Sequence, residues 1–246
     1  GGAEDFVASG TLPNGKPVIL KANGQVEVVA ETGISQSIPA GSETVFNAAN
    51  TTSISVAYDP NNANKFLLIY RDVGNSGRGT ALVGTVSGTS MSFGSEATFS
   101  NTGHPNTFAP SVSFDPHNAN KFAFAYQAAE NNYYGQVIVG TISGTSVSFG
   151  TAVLFKSAII YEPSLAFDPY TANKYVVTYR SPSNGEAIVG TISGTSSSFG
   201  SVVTLNSGLT HTPVVKFDPN TANKCVIIFK DQNNSYYGTA IVGTVS

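Results

Sequence analysis

Tryptophan is absent, cysteine and methionine occur once each, and only 11% of the 246 residues are charged. The lone Cys225 excludes an intrachain disulfide, and its place in the run CVIIF reads as a small buried hydrophobe. Twelve basic against fifteen acidic residues leave a net charge of −3, which argues against the clustered basic surface that nucleic acid requires. No apolar run approaches the ~20 residues that span a bilayer, so no membrane insertion is expected. Catalytic signatures are missing as well: there is no Gly-x-Ser-x-Gly, no HExxH, no glycine-rich phosphate loop and no Cys/His cluster. His104, His117 and His211 are dispersed and read as surface or turn residues. No cofactor is expected. The chain opens Gly1-Gly2-Ala3, without an initiator methionine or a visible signal peptide, which reads as a processed chain or a piece of a longer one.

What is present is one stretch written four times. Its first copy runs from Ile54 to Phe99. Asp-Pro opens each copy, at Asp59, Asp115, Asp168 and Asp218, in steps of 56, 53 and 50 residues. A variant of Asn-Asn-Ala-Asn-Lys follows, then Val-Gly-Thr around Gly84, Gly140, Gly190 and Gly243. Ser-Phe-Gly closes the first three copies, at Phe93, Phe149 and Phe199. Self-similarity at this period marks a solenoid or propeller. Within a copy, period-two alternation and turn residues give four strands: ISVAYD (A), KFLLIYRD (B), TALVGTVSG (C) and SMSFGSEATF (D). Four antiparallel strands per ~50 residues is the content of a propeller blade.

The segment before Ile54 aligns as a trimmed fifth copy. FVASGTL stands for strand A, PVILKA for B, QVEVVAE for C and ISQSIPAGSETVF for D, with Asn23-Gly24 as a tight hairpin turn between B and C. The expected fold is therefore all-β, a five-bladed β-propeller of four-stranded antiparallel blades in one domain over 1–246. Its blades run at about 5–46, 53–99, 111–155, 163–205 and 212–246, and the last lacks its outer strand.

Several repeated residues read as structural. Asp-Pro followed by asparagine is turn chemistry, since the carboxylate accepts backbone N–H groups two residues on and proline presets φ. A calcium site is the alternative, although no copy has the spacing of a hand-type loop. The mid-strand glycines mark close packing or a bulge, and the three phenylalanines pack between blades.

Variation between copies carries the functional reading. The A–B and C–D turns are nearly uniform, whereas the B–C loops (RDVGNSGRG, QAAENNYYG, RSPSNG, KDQNNSYYG) and the D–A crossings differ. In a propeller these two variable sets emerge on one face, where recognition is usually placed. One loop position holds Arg78, Tyr134, Asn184 and Tyr237 in turn. Candidate ligand-binding residues are Arg71, Asp72, Arg78, Asn132, Tyr133, Tyr134, Arg180, Lys230, Asp231, Tyr236 and Tyr237, with His104, Tyr161, Glu162 and His211 from the crossings. Tyrosine beside Asn, Asp and Arg can stack on a sugar while its neighbours bond the hydroxyls, and it serves protein surfaces equally well.

The units GTALVGTVSGTSMSFGSEATFSN and GTAIVGTVS, with VAYDPNNANKFLLIYRD, resemble repeats of phage tail-fibre and other virion proteins. That resemblance implies a virion or cell-surface setting, a glycan or surface receptor as partner, and contacts with other virion subunits. The five-repeat plan also resembles the five-bladed propeller lectins, although loops of unequal length put one equivalent site per blade in doubt. The expected function is a non-enzymatic, lectin-like recognition module. The alternatives are a structural assembly protein, or a glycoside-hydrolase-type propeller using two of Asp72, Glu130, Glu162 and Asp231 across a pocket.

Overall fold

The structure is a computed structural model that describes residues 7–12, 18–28, 41–99 and 107–245. It is all-β, apart from two single 3-10 turns at Ala129–Asn131 and Gln232–Asn234. The chain divides into two compact units, 1–41 and 42–246.

The first unit holds β1 (Val7–Ala8), β2 (Val18–Leu20) and β3 (Gln25–Val28), in the order β1-β3-β2. Asn23-Gly24 lies in the hairpin turn, with Gly24 at φ 80° and its N–H donated to the Lys21 carbonyl at 2.9 Å. The strand order departs from a simple up-and-down reading, because β1 pairs with β3 in parallel rather than with β2. The β2–β3 hairpin loop is Ala22-Asn23-Gly24, closed by Lys21 N donating to the Gln25 carbonyl at 2.8 Å, one residue longer than the two-residue turn expected. Of the expected fourth strand, 34–46, residues 34–40 lie outside the described residues, and 41–46 form no strand.

The second unit contains four antiparallel sheets. Sheet one is β4 (Thr51–Tyr58), β5 (Lys65–Asp72), β6 (Arg78–Ser87), β7 (Ser90–Phe93) and β8 (Ala97–Thr98). Sheet two is β9 (Thr107–Phe114), β10 (Lys121–Ala128), β11 (Tyr134–Ser143), β12 (Ser146–Phe149) and β13 (Val153–Ile159). Sheet three is β14 (Tyr161–Phe167), β15 (Lys174–Arg180), β16 (Gly185–Ser193), β17 (Ser196–Phe199) and β18 (Val203–Asn206). The last is β19 (Thr210–Phe217), β20 (Lys224–Asp231) and β21 (Tyr237–Thr244). Strands A, B and C fall where the repeat places them. Strand D is interrupted: β7 with β8, β12 with β13 and β17 with β18 each pair along one edge of strand C. These are β-propeller blades, and together with the three-stranded sheet of the first unit they agree with a count of five. The last blade has three strands among the described residues, as expected.

The mid-strand glycines are explained by their register. Gly84 lies between Phe66 and Phe93, Gly140 between Phe122 and Phe149, and Gly190 between Tyr175 and Phe199. The flanking rings meet edge to face over the missing side chain, with centroids 6.1, 6.3 and 6.4 Å apart. A third ring from the preceding crossing completes each cluster: Phe46 on Phe93, Phe99 on Phe149 and Phe155 on Phe199, at 6.0, 5.7 and 6.0 Å.

Neighbouring sheets are joined by repeated polar contacts. The Asp59 carboxylate accepts from Asn61 N at 2.9 Å within its own turn and from Asn120 N of the next sheet at 3.2 Å. Asp115 does the same with His117 N at 2.9 Å and Asn173 N at 3.0 Å. The turn reading of the Asp-Pro motif therefore stands, and the sheet-to-sheet bond adds to it. Along the A strands, Ser55, Ser111 and Ser164 accept from Val112 N, Leu165 N and Val215 N. Equal positions thus lie side by side, and the sheets run in the same direction. Among the described residues no group of three or more His, Cys, Asp and Glu side chains could hold a metal ion.

Candidate functional site

Strand register gathers the variable segments at one end of each blade. The end of strand B faces the start of strand A: Asp72 opposite Thr51, Arg71 opposite Thr52, Arg180 opposite Tyr161, Lys230 opposite His211 and Asp231 opposite Thr210. Because equal positions adjoin between sheets, Arg78, Tyr134 and Tyr237, each at the start of a C strand, lie at the same end of the second unit.

Three of the four B–C loops of the second unit share a backbone device that the sequence disguises. Ser76-Gly77, Asn132-Tyr133 and Ser235-Tyr236 are all left-handed pairs, with φ between 51° and 71°. Asx chemistry sets up two of these loops. Asp72 accepts from Asn75 N at 3.1 Å, and Asp231 accepts from Asn233 N at 3.0 Å. Asp72 is buried besides, so both carboxylates shape their own loops. What the loops present is aromatic: Tyr133, Tyr236 and Tyr237 are 42%, 54% and 63% exposed. Holding a tyrosine at positive φ costs strain, which its surroundings must offset. The blade-interior tyrosines behave differently. Burial, then the hydrogen bond and charge of Glu96, push the Tyr70 phenol far above its ordinary range, and its hydroxyl donates to Glu96 at 2.8 Å.

Two clusters form. In the first, the Arg180 guanidinium sits 3.9 Å over the Tyr161 ring and its Nε lies 3.4 Å from Glu162. Glu162 also accepts from Thr212 N at 2.7 Å, linking two blades. In the second, His211 bonds Gln232 at 3.0 Å, its ring is 6.1 Å from that of Tyr236, and Lys230 Nζ is 5.2 Å from the Tyr236 centroid. His104 lies outside the described residues, and of Glu130 only its place in a 3-10 turn is described.

Sequence reasoning missed the bulges. Ser53, Ala109, Glu162 and Thr212 occupy one equivalent position in the A strands, and all four have φ between 46° and 53°. At each the pairing with strand B slips. Ala109-Pro110, Glu162-Pro163 and Thr212-Pro213 from three successive blades line an open groove of about 330 Å³. The signal was available: proline recurs five residues before three of the Asp-Pro aspartates, at 110, 163 and 213.

No protein-family model matches the chain, and no curated protein matches it in sequence. Solved structures do match. Sqt1 of Saccharomyces cerevisiae aligns at 14% identity with a TM-score of 0.53, over 77% of this chain and 45% of its own. Exo-β-1,3-galactanase of Phanerochaete chrysosporium with galactose aligns at 14% and 0.52, over 79% and 47%. A protein of unknown function from Dyadobacter fermentans aligns at 10% and 0.51, over 74% and 50%. The chain spans about half the length of these structures. At such identities the likeness concerns the fold alone, and that fold is β-propeller-like.

Proposed function

We propose that the chain is a non-enzymatic recognition module that binds a glycan, or failing that a receptor protein, through its loop end. The observation that carries this reading is the contrast between the two ends of the blades. At the Asp-Pro end, the Asp59 and Asp115 carboxylates are taken up by their own turns and the next blade. At the loop end, one backbone conformation recurs beneath different side chains, and Tyr133, Tyr236 and Tyr237 stand out into solvent. Exposed Tyr236 beside Lys230 and His211 suits stacking on a sugar ring with hydrogen bonds to its hydroxyls. The virion or cell-surface setting rests on the repeat resemblance, and presentation in several copies would raise weak binding through avidity.

A hydrolase reading is less favoured because three of its four candidate carboxylates have other partners. Asp72 binds Asn75, Asp231 binds Asn233, and Glu162 binds Arg180 and Thr212. A glycan array on the purified chain, repeated with Tyr133→Ala and Tyr236→Ala, tests the proposal. Binding lost in the variants at unchanged melting temperature is expected. Turnover of an oligosaccharide abolished by one carboxylate substitution would favour the enzyme. Absence of any glycan signal, with the loop end buried in a homotypic contact, would favour an assembly role.

A further inference from the structure

Arg180 is largely buried yet donates no hydrogen bond within the protein. Its side chain is 20% exposed, and its Cζ lies 3.9 Å from the centroid of the Tyr161 ring, which stands opposite it in register. Nε is shut off from solvent without a hydrogen-bond partner: Glu162 Oε2, 3.4 Å away, makes an ion pair outside hydrogen-bond geometry. Among the described residues the terminal nitrogens meet no acceptor either. A guanidinium carries five N–H donors in one plane and is always charged. Buried polar groups are ordinarily satisfied, so a donor set left open at this depth calls for an acceptor from outside.

The other sheets show how this position can be closed from within. The end of strand B carries Arg71, Gln127, Arg180 and Lys230, each paired with the start of strand A. In sheet two the Gln127 amide donates to the Ile160 carbonyl, at the entry to the next sheet. In sheet three Arg180 makes no such bond, and Glu162 crosses to Thr212 N instead, at 2.7 Å. Tyr161 therefore fixes the guanidinium by its face and Glu162 by its Nε side, which leaves the terminal nitrogens aligned and unused. The Glu162 carboxylate also adjoins the groove of about 330 Å³ lined by Pro163, Thr212 and Pro213. Small-molecule sites begin at about this size.

We infer, on the reading of the loop end as a glycan-recognition surface, that Arg180 anchors a carboxylate-bearing sugar, of uronic or sialic type. The terminal nitrogens hold the carboxylate through two parallel N–H···O bonds, the geometry that a guanidinium and a planar carboxylate share. The sugar ring lies along the groove beside Pro163 and Pro213. Because Glu162 offsets part of the charge, selectivity comes from this paired geometry more than from the net field.

The test is an array of uronic-acid, sialylated and sulfated oligosaccharides, with every carboxylated member present also as its methyl ester. The carboxylates should bind at least about tenfold more tightly than their esters, which keep the sugar and lose the charge. Arg180→Gln should abolish that preference, and Arg180→Lys should remove most of it, because a point charge lacks the planar pair of donors. Unchanged melting temperatures separate these losses from unfolding, and the ester comparison on the unaltered protein is decisive even where a variant folds poorly. Equal binding of acid and ester, a preference retained by Arg180→Gln, or binding confined to sulfated members would overturn the inference and leave glycan recognition standing. Binding lost in Glu162→Gln but intact in Arg180→Gln would overturn it too, since the bound group would then be a cation. An array with no glycan bound would remove the recognition reading and this inference together.

Discussion

Replacing Gly140 by alanine puts a methyl group where two strands have left room for a ring. The new Cβ would lie 2.8 Å from Phe122 Cε2 and 2.8 Å from the Ser148 carbonyl oxygen, against ordinary contacts of ~3.5–4 Å. Phe122 has nowhere to go. It is fully buried, with Phe114 at 5.8 Å and Phe149 at 6.3 Å between centroids. Overpacking of this kind costs ~1–3 kcal/mol, and the upper end applies because one of the obstructing atoms is backbone. Alanine regains ~0.5–1 kcal/mol over glycine in a strand. The net loss is about 2 kcal/mol, or a fall of about 4–8 °C in melting temperature for a domain of this size. Gly243→Ala is the control. Its nearest obstacle is Cys225 Sγ at 2.5 Å, a small group beside a cavity of about 300 Å³, so the side chain can swing away and the loss should stay below ~0.5 kcal/mol. Urea unfolding of both variants, of Phe122→Ala and of Gly140→Ala with Phe122→Ala measures the difference. In the double variant the alanine methyl has no ring to strike although the Ser148 carbonyl remains, so a coupling of about 1 kcal/mol should appear. Equal losses for the two glycines, or simple additivity with Phe122→Ala, would refute the ring-over-glycine argument.

Three other predictions concern the Asp-Pro turns and the lone thiol. Asp115→Ala should cost about 2 kcal/mol in chemical denaturation, because removing this buried carboxylate strands the part-buried donors His117 N, Asn118 Nδ2 and Asn173 N, now bonded at 2.9, 2.8 and 3.0 Å. The exposed turn of Asp218 should tolerate the same change far better. The Asn220 backbone N–H, followed by Thr221, holds the Asp218 carboxyl below its ordinary 3.8. Its contribution to stability is therefore present above that value and lost as pH falls through the lower folded one; an NMR titration of this carboxyl with its midpoint at or above 3.8 would contradict the sign. Burial raises the Cys225 thiol, so labelling by a disulfide reagent at pH 8 should be at least about tenfold slower in the folded protein than in urea. Comparable rates would mean that the cavity beside it is open to solvent.

Whatever depends on residues two to four apart, or on a repeating register, could be read along the chain. The Asp-Pro turns, the Asn23-Gly24 hairpin and the glycine in the C strands of the four later copies are of this kind, because turn chemistry and period-two alternation are local. The uniform and varied ends of the blades were legible too, since loop position follows from strand order. Only the tertiary structure decided which side chains meet across ~50 residues of chain. Asp115 reaches Asn173, Glu162 reaches Thr212, and the Gly150 backbone lies under Thr195. It also turned Asp72 and Asp231 from candidate ligand contacts into loop-shaping groups, and placed Ala109, Glu162 and Thr212 at positive φ beside a groove. Such contacts depend on how one twisted sheet settles on the next, and spacing along the chain does not encode that packing.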